Sequence, residues 1–331
     1  VRSSAASDVY KRQIMADATV NYSGQINNTG DILALHRDQF TGEVLTAYNE
    51  NLIAGNFFLN RTIDKGKSAT FYAMGETDCQ YISSGEQLLG TNKIPQNKLT
   101  VNIDQFLAAD IFIGEDDEAM SEIEVRQRYA QRLGKALART KDKRLFQLAV
   151  LAARGTAFIK DGNGGSKVEN ADMATDAAVL AASVFKAAEI FDTKDIPDDM
   201  RKAFFKPLQY NMLVQKVDLI NKDWGGMGSY ADGKIVKIAG IEITKTNNLP
   251  STNITQVDGT RNVYHGDFTK TVGVIARPEA VATVQLRGLN VKDRYDLSRS
   301  GTLIVAKMLE GSNTLRTDNA VELATTASPT T

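Results

Sequence analysis

Cysteine, histidine and tryptophan are almost absent from the 331-residue chain: one Cys, two His and one Trp. A single cysteine, Cys79, excludes an internal disulfide and a cysteine-based metal cluster, and fits folding in a reducing cytoplasm. His36 and His265 lie far apart, without Cys neighbours or metal-ligand spacing. No apolar run approaches the roughly 20 residues of a membrane span. No basic start, apolar run and small-residue cleavage site marks a signal peptide. The N-x-[ST] triplets at Asn21, Asn27, Asn60 and Asn253 then read as chance matches. An excess of one charge is missing too: 39 Lys and Arg stand against 40 Asp and Glu. That balance gives no reason to expect a nucleic-acid binder held by phosphate contacts.

Catalytic signatures are also missing. Gly162-Asn163-Gly164-Gly165-Ser166-Lys167 superficially resembles a phosphate loop, but Ser precedes Lys and no helix starts at once. As a calcium loop the same segment has Gly165 where an oxygen ligand belongs and Ser166 where the turn glycine belongs. Glu115-Asp116-Asp117-Glu118 reads as the acidic start of a helix, not as paired acid–base carboxylates. No G-x-S-x-G elbow occurs. No residue is assigned to catalysis, to a cofactor or to a metal.

What is present is an ordinary soluble composition, 42% hydrophobic and 24% charged, on a length that suits one large or two ordinary domains. The first 14 residues resemble a translated sequencing adapter and are set aside as a non-native leader, expected to be disordered ahead of Met15. Residues 15–29 read as a flexible polar arm. A short helix capped by Asp31 runs to about residue 48. Residues 57–63 and 69–71 read as extended. Residues 98–106 alternate Leu99, Val101 and Ile103 against polar neighbours, a strand with one covered face. With the Gly-studded excursion between them these strands make a long hairpin, which needs something external to pack against.

The clearest element is a helix over 121–154, opened by the capping box Ser121 and Glu124. Ile123, Val125, Tyr129, Leu133, Leu137, Leu145, Leu148 and Leu151 form its apolar side. Arg126, Arg128, Arg132, Lys135, Arg139, Lys141, Lys143 and Arg144 fill the other, which reads as solvated or subunit-facing. After a loop at 161–166, a second helix runs from an N-cap at Thr175 to Phe191. A buried strand at 202–205, a helix opened by Pro207, a Gly-rich loop at 222–233 and an alternating stretch at 234–246 follow. A strand at 272–275, a short helix at 277–280 and closing strands at 286–296 and 302–307 end in a polar tail from about 310. Gly225, Gly226 and Gly228 beside Trp224 read either as a flexible loop or as a close approach of another subunit. The class is α+β.

Several segments carry a resemblance. They are Gly24-Gln25-Ile26-Asn27 with Gly30-Asp31, Phe40-x-Gly42-Glu43-Val44-Leu45-Thr46-Ala47, Gly66-Lys67-Ser68-Ala69 and Gly85-Glu86. Thr100-x-Asn102-Ile103-Asp104, Ala109-Asp110-Ile111, Glu118-Ala119-Met120 and Lys234-Ile235-Val236-x-Ile238-Ala239-Gly240-Ile241 complete the set. As a set, and in the order of elements, the chain resembles the major capsid proteins of T-seven-like (autographiviral) short-tailed phages. The resemblance implies the Hong Kong 97 type capsid fold: an N-terminal arm (15–60), an extended hairpin loop (61–101), a peripheral domain with the spine helix (102–174), an axial domain (175–262), closing peripheral strands (263–310) and a polar tail (311–331). It implies pentamers and hexamers of the chain itself, with a scaffolding protein and a portal protein as partners. The product is an icosahedral virion shell, assembled in the host bacterial cytoplasm, that encloses DNA without sequence-specific binding and involves no membrane. Gly66, Lys67, Gly85, Glu86, Trp224, Gly225 and Gly226 are the subunit-contact candidates. Two other readings remain: an encapsulin-like compartment of the same fold, and an α/β nucleotide hydrolase, which would need a compact chain with a closed pocket of convergent polar groups.

Overall fold

The computed structural model describes residues 34–326, apart from 76, 78, 86, 88–89, 91, 115–123, 160–161, 216–236 and 256–260. The leader, the flexible arm, the Ser121 of the capping box and the loop around Trp224 therefore lie outside the described residues.

Helix α1 (Ala34–Asn51) precedes strand β1 (Leu59–Thr62) and the antiparallel pair β2 (Ser68–Met74) and β3 (Gln96–Asn102). The expected strand over 98–106 is interrupted, because Ile103 and Asp104 turn inward onto Lys67 and Glu310 by backbone bonds of 2.9 and 3.1 Å. A separate strand, β4 (Leu107–Gly114), follows. The long helix α2 spans Glu124–Arg154, about 46 Å at 1.5 Å per residue.

Strand β5 (Ser166–Glu169) begins where a loop was expected. Helix α3 (Ala177–Thr193) is capped by Asp176, whose carboxylate accepts from the Ala178 N–H at 2.8 Å. Thr175 instead ends the preceding 3-10 turn, so the cap sits one residue later than the sequence suggests. Then come β6 (Lys202–Phe205), α4 (Pro207–Gln215), β7 (Lys237–Ile238), β8 (Ile241–Lys245), β9 (Asn253–Ile254), β10 (Gly266–Asp267) and β11 (Thr271–Ala276). Pro278–Ala280 is a single 3-10 turn leading into β12 (Val281–Asp296), which pairs along its length with β13 (Gly301–Thr314).

The last strand, β14 (Ala320–Ala324), overturns the expected polar tail: all five residues are buried. Its central Glu322 breaks the apolar pattern that would have marked a strand. The reason is a buried ion pair. Arg154, at the end of α2, donates Nε and Nη2 to the two Glu322 carboxylate oxygens, each at 2.7 Å, and Nη1 to the Asp267 carbonyl. Thr271 Oγ1 donates to the same carboxylate at 2.6 Å. A buried carboxylate is tolerated only when paired and hydrogen-bonded in this way.

Two main sheets result, with strand orders β1-β12-β13-β4 and β5-β14-β11-β6-β8-β7. Residues 271–276 and 320–324 thus join the six-stranded sheet instead of the closing strands and tail. Helix α2 links the sheets. Its N-terminal half packs Leu133 and Leu137 with Val44 and Tyr48 of α1 and Ile304 and Met308 of β13. Its C-terminal half, from Leu145 to Ala153, is buried against one face of the six-stranded sheet. Leu180, Val184, Ala187 and Phe191 of α3 cover the other face. Alternation in β6 follows from this: Phe204 points to α2, and Ala203 and Phe205 point to α3. Each of the buried Leu, Val and Phe side chains contributes about 1.5–3 kcal/mol.

Candidate assembly interface

The described structure leaves the β2–β3 hairpin without a full covering. Its register runs from Ser68 opposite Asn102 at the base to Met74 opposite Gln96 at the far end. Only Ala69 and Val101, near the base, are buried. They rest on Ile103, Ala282 and Val284. On the opposite pleat Tyr72 is 78% and Met74 68% exposed. Beyond the strands Tyr81 is fully exposed, and Ile82 and Ile94 are exposed. Apolar side chains therefore line both faces of a two-stranded ribbon, which has no core of its own.

The base is firmly held. Asp104 Oδ1 accepts from the Arg261 N–H (2.9 Å), the Asn262 N–H (3.2 Å) and Asn262 Nδ2 (2.8 Å), and Oδ2 accepts from the Tyr264 hydroxyl. Burial, and then the Asp104 carboxylate, push the Tyr264 phenol far above its ordinary range, so it stays a donor. The same hydroxyl accepts from the Ser312 N–H at 3.1 Å. Gly311 lets β13 pass hard against the Asn102 carbonyl, where a Cβ would collide. Farther out, Asn97 Nδ2 donates to the Phe158 carbonyl at 2.6 Å and Gly75 N–H to the Pro95 carbonyl at 2.8 Å.

A second anchor fixes α1. Asp142 on α2, fully buried, accepts from the Ile53, Ala54 and Gly55 N–H groups and from Asn248 Nδ2. Burial raises its carboxyl above the usual range despite those donors. Beside it Lys141 donates to Glu310 at 2.6 Å. Burial alone would lower Lys141; the Glu310 carboxylate overrides it, and the net shift is upward. Burial pushes the neighbouring Tyr48 phenol up to about 12.

Of the sequence candidates, Gly66 and Lys67 stand exposed at the turn into β2, Gly66 at φ +121°. They line an open, mostly apolar groove of about 520 Å³ with Ile103, Phe106, Leu286 and Leu309. Gly85 lies in the excursion at φ +95°, a left-handed value that suits glycine. Glu86, Trp224, Gly225 and Gly226 lie outside the described residues. The sequence reading missed Tyr72 and Met74; the signal was there in 69–74, Ala-Thr-Phe-Tyr-Ala-Met, which is apolar on both parities. It also missed the β12–β13 tip, where Tyr295 is exposed and Leu297 is 85% exposed.

Among the described residues no group of three or more His, Cys, Asp or Glu is placed to hold a metal ion, and no helix is long and apolar enough to cross a membrane. Cys79 is exposed, and His265 lies exposed on the loop before β10. What the arrangement offers is contact area: a protruding ribbon with apolar faces on a rigidly anchored base.

A family model described as Gp10A-like, major capsid protein, matches residues 70–324. The chain belongs to the Gp10A-like major capsid protein family. The major capsid protein of Escherichia phage T7 is 27% identical, over 88% of this chain and 92% of its own length. The capsid structure of cyanophage P-SCSP1u superposes with a TM-score of 0.77 and 33% identity, covering 93% of both chains. A subunit of the mature capsid of bacteriophage PhiM1 shares the fold at 19% identity and a TM-score of 0.70, covering 84% of this chain and 88% of its own. The fold is the Hong Kong 97 type of phage capsids, as the sequence resemblance implies.

Proposed function

We propose that this capsid protein assembles with its own copies, as pentamers and hexamers, into an icosahedral virion shell around double-stranded DNA. A scaffolding protein and a portal protein complete the assembly in the host bacterial cytoplasm. The observation that carries the reading is the β2–β3 hairpin, whose Tyr72 and Met74 side the described residues leave exposed and which a neighbouring copy can cover. In this reading α1 belongs to the N-terminal arm, and the four-stranded sheet with the N-terminal half of α2 forms the peripheral domain. The six-stranded sheet with α3 and α4 forms the axial domain. Gly66, Lys67, Gly85, Glu86, Trp224, Gly225 and Gly226 are proposed contact residues, joined by Tyr72, Met74 and Leu297.

Negative-stain electron microscopy of the chain expressed from Met15, alone and with its scaffolding partner, tests the reading. Closed uniform shells, or free pentamers and hexamers, are expected; a monodisperse monomer under every condition would overturn it. Replacing Gly85 and Glu86 together is expected to reduce shell yield while leaving the subunit's thermal melt nearly unchanged. Equal loss of both would remove the hairpin excursion from the interface.

A further inference from the structure

The exposed side of helix α2 carries a pattern that shell geometry alone does not require. Arg128, Arg132, Lys135, Arg139 and Lys143 are all exposed. Their spacing of four, three, four and four residues places them within an arc of about 80° and along about 22 Å of helix. The opposite side, with Leu133 and Leu137, is buried under α1 and β13. From 125 to 154 the helix has one acid, Asp142, and it is buried. Among the described residues no carboxylate lies within ion-pair distance of Arg132, Lys135, Arg139 or Lys143.

The other basic residues of the helix are used differently. Lys141 is buried on Glu310, Arg154 is buried on Glu322, and the Arg144 guanidinium stacks 5.4 Å from the centre of the Tyr264 ring. The stripe is therefore a subset of the helix's cations, sorted by position. A helix face that is merely solvated interleaves acids and bases, because like charges three and four residues apart repel. The helix dipole does not account for the stripe either, since it favours cations only in the last turn, and all five residues lie farther back than that. By contrast, the exposed basic residues near the β12–β13 tip, Lys292, Arg294 and Arg299, alternate with Asp293 and Asp296.

We infer that this stripe is a non-specific contact for the phosphate backbone of double-stranded DNA, so that α2 faces the packaged genome. The partner follows from charge complementarity: a B-DNA duplex presents one negative charge per roughly 1.7 Å of axis, and a straight 22 Å row of cations matches a continuous polyanion better than the discrete carboxylates of a folded surface. Arg and Lys side chains without base-reading neighbours contact phosphate regardless of sequence. The near-zero net charge of the whole chain hides this, because the compensating acids lie on other elements. The inference rests on the shell reading above.

The test uses the full chain as unassembled subunits and a mixed-sequence 20-base-pair duplex, read by fluorescence anisotropy over a salt series. A variant with Arg132→Gln, Lys135→Gln, Arg139→Gln and Lys143→Gln is compared with a control carrying Lys292→Gln and Arg294→Gln; all six positions are exposed. The stripe variant is expected to bind at least about tenfold more weakly at low salt. Its log–log salt slope is expected to be shallower by roughly 0.9 per cation removed, while the control is unchanged. No binding by the unaltered chain, or equal binding by the stripe variant, overturns the inference. So does tighter binding of polyglutamate than of the duplex, which would point to an acidic protein partner. Loss of shell assembly with unchanged DNA binding overturns it too, placing an acidic surface of a second copy on the stripe. Electron microscopy of the same preparations separates the two failures: shells without a DNA effect defeat this inference alone, and no shells from the unaltered chain defeat the shell reading.

Discussion

Strands β11 and β2 are nearly equal in length, six and seven residues, and they sit at opposite extremes of burial. All six residues of β11 are buried between α2 and α3; of β2 only Ala69 is. Both strands are rich in apolar side chains, so composition does not separate them. The difference is what lies on each face. β11 has a strand on either side and a helical layer above and below, all from its own chain. β2 has one partner strand, one face that packs through Ala69 and Phe71 on Val101, Ile103, Ala282 and Val284, and an opposite face, with Tyr72 and Met74, that the described residues leave exposed. The subunit thus closes one region upon itself and leaves another for its neighbours.

Glu322→Ala should break the closed region most severely. It leaves the Arg154 guanidinium buried without its carboxylate, and such losses cost about 3–5 kcal/mol. A large fall in the midpoint of urea unfolding is the expected readout. A fall no greater than that of a surface substitution would mean the six-stranded sheet does not depend on this pair.

Alkaline titration probes the junction of α1 with α2. Tyr48 is pushed up to about 12 by burial, so the unfolded phenol ionises first. Stability from this group is unchanged below about pH 10 and falls as pH rises toward 12. Lys141 is also raised, on balance, so its pairing with Glu310 holds below the ordinary lysine value and is lost above its folded value. Both act in the same direction, and the Tyr48 shift by itself is worth on the order of 2–3 kcal/mol. Tyr48→Phe is expected to flatten the fall between pH 10 and 12 in thermal melts; an unaltered profile would place its source elsewhere.

Gly134→Ala acts at the same junction. A Cβ there would meet the Val44 carbonyl at 2.6 Å and the Tyr48 nitrogen at 2.9 Å. Both are backbone atoms and cannot swing away. Overpacking of this kind costs about 1–3 kcal/mol, against about 1 kcal/mol gained in helix propensity. Lower thermal stability is expected, and a more stable variant would show that α1 can shift on α2.

The smallest effect on stability should come from the open region. Tyr72→Ser with Met74→Ser removes two exposed side chains, so the unfolding midpoint should move by no more than about 0.5 kcal/mol. Shell yield, in contrast, should collapse. An unfolding change as large as that of Gly134→Ala would mean the hairpin is already covered by its own chain.

Much of this contrast was legible in the sequence. The helix over 121–154 stood out because no proline and only Gly134 interrupt it, and the short buried strand at 202–205 carries the apolar run Ala203-Phe204-Phe205. The hairpin was legible from the alternation of Leu99, Val101 and Ile103 beside a turn-rich excursion. Other features were hidden by long-range chemistry. β14 was read as tail because Glu322 looks solvent-bound until Arg154, far away in sequence, is placed beside it. The strand read over 98–106 overran the end of β3 at Asn102, and β4 went unread, because the inward turn at Ile103 and Asp104 depends on partners at 67, 261–264 and 310. The two-sided apolar character of 69–74 was written in the sequence, but only the pleat direction shows which side lies open. The basic stripe was visible as charge along a helix; that Lys141, Arg144 and Arg154 are excluded from it, buried or stacked on partners of their own, required the fold.

Hydrogen–deuterium exchange of unassembled subunits against closed shells tests the central contrast most directly. Amides of 69–75 and 92–101 should exchange quickly in the subunit, as expected for a thinly supported ribbon, and gain strong protection in the shell. Those of β6, β11 and β14 should be protected equally in both. A hairpin whose exchange does not change on assembly would contradict the account, because it would mean that no neighbour covers the exposed Tyr72 and Met74 side.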